Sequence, residues 1–389
     1  MNTPKHPTLP AQNRRTSAVP ALMSHHKTWL AAALLMGSAP WALAQESTVT
    51  LFGTVAASAL NLSHQAKGTG TRLVTGPWTA PSYGLRGSEA LGGGLTASFR
   101  LESSLDLPTG GAGRTVLGSA KHFDKAAWVG LGNQQVNLTA GRQLHAGIDR
   151  IAETLDVFHA NADGKLLLSI LALNATNTFG GFDTRVDDAV KLRAQLPGGV
   201  KLGFSHAFAS AGRVGRSQSM DLGLQTPAYG LGAYVLRYNS DGTQLQQNTW
   251  GLGGNVLVGP ARLYAHYMDA THDKSAGGAT EQNNKVWGLG VAMPITPALS
   301  MKAAYYRDSA SSVGGNAGRE GQRSTVALMG DYAFSKRTSL NFGVFRNSLS
   351  GALAADPTSL AVLGLIDPAT RSVSGSATTG VAVGLNHRF

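Results

Sequence analysis

Alternation with a period of two runs through most of this chain. Val381, Val383, Leu385, His387 and Phe389 alternate with Gly380, Ala382, Gly384, Asn386 and Arg388. In "NKVWGLGVAM", Lys285, Trp287, Leu289, Val291 and Met293 alternate with Val286, Gly288, Gly290 and Ala292. Leu340, Phe342 and Val344 alternate with Asn341 and Gly343. Such alternation is the signature of strands that bury one face. Here one face is apolar with aromatic ends, and the other is small or polar where a soluble sandwich would carry Lys and Glu. Segments of about ten residues with this character match strands that span a membrane as a barrel. In hydrocarbon every backbone N–H and C=O must be paired, and a closed sheet pairs them all.

Sixteen candidate strands follow, near 48–60, 82–88, 94–105, 123–131, 134–142, 184–194, 199–209, 218–226, 229–239, 247–258, 260–270, 284–293, 298–308, 322–334, 337–348 and 378–389. Their connections alternate in length. "EALGGG" (Glu89–Gly94), "GNQ" (Gly132–Gln134), "LPGG" (Leu196–Gly199) and "SKR" (Ser335–Arg337) are short, with Gly, Pro and Asn marking tight turns. Asn61–Pro81, Gln143–Asp183 and Leu349–Ala377 are long and mostly polar. Short turns at one end and long loops at the other are the habit of barrels. The predicted fold is all-β: a 16-stranded antiparallel transmembrane β-barrel, one domain over 45–389.

The N-terminus reads as an export signal. "MSHHKTWLAAALLMGSAPWALAQES" has a basic start at Lys27, an apolar run from Trp29 to Met36, and the small-x-small site Ala42–Ala44. Residues 1–44 are therefore expected to be removed, with Met23 a possible true start. Removal takes Lys5, Arg14, Arg15 and Lys27 and no acid, leaving 29 bases against 22 acids, net +7. The rest of the chain has no apolar run of about 18 residues, the length of a membrane-spanning helix.

Charged residues make up 14% of the chain, against roughly 25% in soluble domains. There is no cysteine, which excludes disulfides and thiolate metal sites. Neither G-x-S-x-G nor H-E-x-x-H occurs, so an outer-membrane barrel enzyme lacks its usual residues. "GLGG" (Gly251–Gly254) is strand alternation without a following helix pattern, not a phosphate loop. Lys and Arg are dispersed rather than striped, which argues against nucleic acid. No enzyme activity, cofactor or metal is expected.

Several stretches resemble the Gram-negative general porins, especially the trimeric porins of beta-proteobacteria. "VTLFGTVAAS" (Val49–Ser58) is similar to their first strand, and "YGLRGSEALGGGLTASFRLESS" (Tyr83–Ser104) to their second and third. "AAWVGLGNQQVNLTAGRQ" (Ala126–Gln143) resembles the fourth and fifth, and "RVDDAVKLRAQLPGGVKLGFSHAF" (Arg185–Phe208) the sixth and seventh. The resemblance implies an outer-membrane homotrimer in contact with the lipid bilayer and lipopolysaccharide, passing small hydrophilic solutes and ions by diffusion. It implies a third loop, about 143–183, folded into the barrel with Asp149, Glu153, Asp156 and Asp163 facing basic residues of the opposite wall. Lys125 and Arg185 match those wall positions, and Arg86, Arg100 and Arg142 also lie on wall strands. A substrate-specific porin of the same fold is the alternative. The final aromatic, Phe389, resembles the signal read by the outer-membrane insertion machinery. One departure is Ser82, where relatives often carry Arg.

Parity supplies directions. Arg185, Asp187, Lys191 and Arg193 share one parity while Val186, Val190 and Leu192 share the other, so Arg185, Lys191 and Arg193 are expected to point inward. Charges facing lipid would cost roughly 2–4 kcal/mol at the midplane. Phe99, Trp128, Trp250, Trp287, Tyr305, Tyr332 and Phe342 are expected on the outward face. The net +7 favours anions weakly, and the acidic loop opposes it.

Overall fold

The computed structural model describes residues 47–66, 68, 70–112, 115–116, 119–159, 184–208, 214–240, 246–273 and 280–389. The expected export signal and Asp163 lie outside them. No helix among the described residues is long and apolar enough to cross a membrane.

Sixteen strands alternate up and down: β1 Ser47–Leu62, β2 Ser82–Gly92, β3 Leu95–Asp106, β4 Ala126–Gly132, β5 Val136–Leu144, β6 Ala189–Gln195, β7 Val200–Ala207 and β8 Val214–Gln225. They continue as β9 Tyr229–Ser240, β10 Gln246–Val258, β11 Ala261–His272, β12 Gln282–Pro294, β13 Leu299–Ser311, β14 Gly321–Ala333, β15 Thr338–Gly351 and β16 Ala377–Arg388. Each pairs antiparallel with its neighbour, and β16 returns to β1 in register from Thr54↔Arg388 to Leu62↔Gly380. Gly53 and Phe389 extend that seam, exchanging both backbone hydrogen bonds at 3.1 Å. The sheet is therefore a closed 16-stranded barrel with no open strand edge, as backbone pairing in lipid demands.

Cross-strand pairs assign the faces. Val49, Val129 and Trp287 stand outward, 66%, 61% and 58% exposed. Inward positions are small or polar, such as Ser205, Thr325 and Asn347. A buried apolar cluster of Ile148, Leu155, Phe158, Tyr306 and Phe345 sits inside the barrel, where the third loop meets the wall. Trp128 departs from expectation: it lies across from Arg100, on the inward side, while Phe99 pairs with the outward Val129. The outward set of β4 is thus Ala127, Val129 and Leu131.

Two further pieces were not foreseen. Gly70–Val74 turns back from the first loop and pairs with the upper half of β1. Arg185–Val186 pairs with β5 but is separated from β6 by Asp187 and Asp188, the latter at φ 47°. That left-handed residue interrupts the alternation, so Val186 is the buried side chain here.

Candidate pore constriction

After β5 the chain turns inward at His145, which is fully buried. Its Nδ1 lies 2.8 Å from Ser205 Oγ and its Nε2 2.9 Å from Ser217 Oγ. The short helix α1 (Ala146–Arg150) follows, continued by a wider turn over Ile151–Leu155. A helix start leaves N–H groups without partners; here Ala146 N donates to Ser205 Oγ (3.0 Å) and Gly147 N to Ser219 Oγ (2.8 Å). Burial, then the charges of Lys191 and His206, push the His145 pKa down to about 3. The ring is neutral when docked, while an unfolded His binds a proton near pH 6.5. Its contribution to docking is complete above about pH 6.5 and falls by at most ~1.4 kcal/mol per unit as pH drops toward 3. Protease protection of the loop is expected to weaken between pH 7.5 and 4.5. His145→Gln should flatten that dependence, and an unchanged slope would exclude this ring.

Arg150 anchors the loop. It is 0% exposed, and its Nε and Nη2 donate to Asp221 Oδ1 on β8 at 2.9 and 2.7 Å. Space for it comes from Gly223 on β8 and Gly232 on β9, where any Cβ would collide with the Arg150 side chain. Arg193 on β6 donates to the other Asp221 oxygen at 2.7 Å. One carboxylate thus holds two guanidiniums, a charge-assisted arrangement stronger than neutral hydrogen bonds.

The loop's acids are matched on the wall they dock against. Asp149 pairs with Lys191 at 2.7 Å. Glu153 lies 3.3 Å from Arg193, 3.2 Å from Lys201 and 3.5 Å from Arg150. Farther along, Asn255 donates to Thr154 O (2.7 Å) and Tyr306 OH to Asp156 Oδ1 (2.6 Å). Phe158 stacks on Trp78 at 6.2 Å, and Trp78 meets Phe345 edge-on at 5.8 Å. The loop therefore follows the inner wall from β8 to β15.

Arg86, Arg100 and Lys125 form a separate group on the far side. Arg100 donates to Glu102 Oε2 through Nε (2.9 Å) and Nη2 (2.6 Å), and Lys125 Nζ lies 3.7 Å from Glu102 Oε1. Arg86 and Arg100 both sit over the Phe52 ring, at 5.4 and 4.7 Å. Arg142 is drawn elsewhere: Gly141 at φ 125° precedes it, and it binds Asp124 O (2.7 Å) and Asp187 (2.8 Å). Asp187 also pairs with Lys121. Burial raises the Asp187 carboxyl, but the hydrogen bonds and charges of Lys121 and Arg142 outweigh it and hold it below its ordinary range. Arg185 Nε donates to Lys125 O at 3.0 Å.

A cavity of about 600 Å³ lies between Phe158 of the third loop and the far wall, lined by Trp78, Phe158, Arg100, Glu102, Lys125, Lys302, Asp331 and Arg388 among others. Its charged lining is four bases and two acids. Asp221, Lys302 and Arg388 were missed as site residues, although parity marks them: Asp221 and Lys302 lie between apolar neighbours, and Arg388 shares the parity of Ala382, Gly384 and Asn386. Trp78 lies in a loop and carries no such signal.

A closed barrel with apolar outside, polar inside and a loop along its inner wall defines a transmembrane channel protein. A family model for Gram-negative porins matches residues 31–352, and the chain belongs to that family. It is 25% identical over 376 residues to outer membrane porin protein 32 of Delftia acidovorans, covering 93% of this chain and 99% of that protein. Among solved structures, an anion-selective porin from Comamonas acidovorans superposes with a TM-score of 0.72 at 21% identity, over 88% of this chain and all of that one. The trimer form of OmpT from Vibrio cholerae gives 0.63 at 11% identity, over 88% of this chain and 99% of that chain. The protein is an outer-membrane channel of the porin family.

Proposed function

We propose that this porin is a general diffusion pore for small hydrophilic solutes and ions, with a preference for anions. The observation that carries the reading is the cavity lining of Arg100, Lys125, Lys302 and Arg388 against Glu102 and Asp331. The two acids at the start of the third loop add little negative field there, because Asp149 and Glu153 are paired with Lys191, Arg193 and Lys201. Screening over about 8 Å makes such local charge count more than the net total. Arg86, Arg100 and Lys125 are the wall residues we assign to selectivity, and Lys191 is assigned to loop docking instead. Asp156 is assigned to the loop's far attachment through Tyr306.

The resemblance to trimeric porins supports a homotrimer in the bilayer, in contact with lipopolysaccharide. The apolar run before Ala44 supports residues 1–44 as an export signal, and Phe389 fits the aromatic read by the insertion machinery. In a planar bilayer under a tenfold salt gradient, the reversal potential is expected to carry the anion-selective sign, short of the ideal ceiling of about 59 mV. A cation-selective sign would refute the charge reading, and absence of an open channel would refute the diffusion reading.

A further inference from the structure

Residues 75–81, "TGPWTAP", join the Gly70–Val74 piece to β2. Both ends of this segment are tied to adjacent residues of β3. Thr75 Oγ1 donates to Asp106 Oδ1 (2.5 Å), and Leu105 N donates to Pro81 O (3.3 Å). Fully extended, the stretch would span about 20 Å, whereas neighbouring Cα atoms are about 3.8 Å apart. The segment must therefore bulge, and it bulges into the barrel, with Gly76, Pro77 and Trp78 buried. Pro77 and Pro81 fix φ at two positions, so less backbone freedom is lost in holding this shape.

Trp78 is the centre of the bulge, and its indole is 3% exposed. It stacks on Phe158 of the third loop, and Phe345 of β15 meets it edge-on. Room comes from Gly343 on β15, where a Cβ would lie 2.8 Å from Trp78 Cζ2. The indole Nε1 has no hydrogen-bond acceptor among the described residues. Packing alone holds the ring, at the cost of a buried unmet donor.

The same bulge holds two polar groups of the cavity. Ala80 O accepts from Lys125 Nζ (2.8 Å), while Lys125 stays 3.7 Å from Glu102. Glu102 meanwhile binds Arg100 at 2.6 Å. Ala80 O thus keeps the Lys125 charge from closing fully on Glu102. Thr79 Oγ1 accepts from Asn386 Nδ2 (2.9 Å). Asn386 also donates to Asn341, which donates to Asp331. The third loop, one cavity base and one cavity acid therefore meet at a single segment.

We infer that Trp78 is a positioning residue for conduction. By fixing residues 75–81 it sets both the far attachment of the third loop and the charge that Lys125 presents to passing anions. The inference deepens the diffusion-pore reading and rests on it. Removing the indole leaves Phe158 without its stack and lets Ala80 move off Lys125, which then closes on Glu102 and loses field.

Single-channel recording and limited proteolysis of the full barrel test it. Trp78→Ala is expected to raise the frequency of current interruptions at least about tenfold, since truncating a large buried aromatic leaves a cavity behind. Chymotrypsin should cut after Phe158 in this variant and not in wild type. Trypsin should still spare Arg150, whose guanidinium Asp221 keeps. The anion-to-cation permeability ratio should fall about twofold or more, and in a Lys125→Met background the same substitution should leave it unmoved, because coupled sites do not add. Trp78→Phe, which keeps a ring and drops the unmet N–H, should restore steady current and protection. Trp78→Leu, which fills volume without a ring, reports the same quantities if the alanine variant does not assemble. Steady current and a protected Phe158 in the ringless variant overturn the inference. So does an equal fall in permeability ratio with and without Lys125, or cleavage at Arg150 as fast as at Phe158. A wild-type barrel with no open channel defeats the diffusion reading instead, and the proteolysis then decides this one.

Discussion

Replacing Asp221 with alanine is expected to release the third loop from the barrel wall while leaving the barrel closed. Asp221 accepts from Arg150 through one oxygen and from Arg193 through the other. Removing it strands the fully buried Arg150 guanidinium between Gly223 and Gly232. Breaking a buried pair from one side costs about 3–5 kcal/mol, because the remaining charge has lost both water and partner. The strand ladder from β7 to β9 is backbone and does not depend on this carboxylate. The loss therefore falls on loop docking. Two readouts follow: trypsin should cut at Arg150 in the variant and not in wild type, and single-channel current should become unsteady as the loop moves. Arg150→Met combined with Asp221→Ala should recover part of the loss, since the orphaned charge is gone. An Asp221→Ala barrel with a protected loop and steady current would show that Ser205, Ser219 and Tyr306 suffice to hold it.

That pair also marks where sequence reasoning reached its limit. Strand parity was legible, and with it the inward direction of Lys191 and Arg193 and the outward apolar set. Long stretches of alternation leave one solution when one face meets lipid. What the third loop's acids meet was not legible. The resemblance implied that they face the opposite wall, but Asp149 and Glu153 pair with bases of the wall they rest on. That outcome depends on Arg150 sinking into a gap made by glycines of two different strands, which no local pattern in "AGIDR" announces. Arg142 and Arg185 escape parity for a related reason. Gly141 and Asp188 adopt positive φ beside them, and a single such residue breaks the period of two. Trp128 faces inward because β4 begins at Ala126 and its outward set, fixed by the Phe99–Val129 pair, is the other parity. Ser82 stands where the resemblance implied a base, yet Lys302 and Arg388 from β13 and β16 supply positive charge to the cavity that Ser82 also lines.

Those two sources of charge make the second large effect. The double substitution Lys125→Glu with Lys302→Glu turns the cavity lining from four bases and two acids into two bases and four acids. Both side chains line the same cavity, and fixed charges at a narrow point bias which ions enter. Like-charge entry is disfavoured most where water is scarce and the low-dielectric wall is close. The reversal potential is therefore expected to change sign, by tens of millivolts within the ceiling of about 59 mV for a tenfold gradient. Raising the salt should shrink the difference, because the Debye length falls from about 10 Å at 0.1 M to about 3 Å at 1 M. Arg142→Gln serves as the comparison. Its guanidinium is held by Asp124 and Asp187 and does not line the cavity, so its reversal potential should match wild type. If Arg142→Gln moved the potential as far as the double substitution, selectivity would reside near the β5–β6 junction. If neither moved it, the charge of this cavity would not govern passage, and the matched acids of the third loop would be the next place to look.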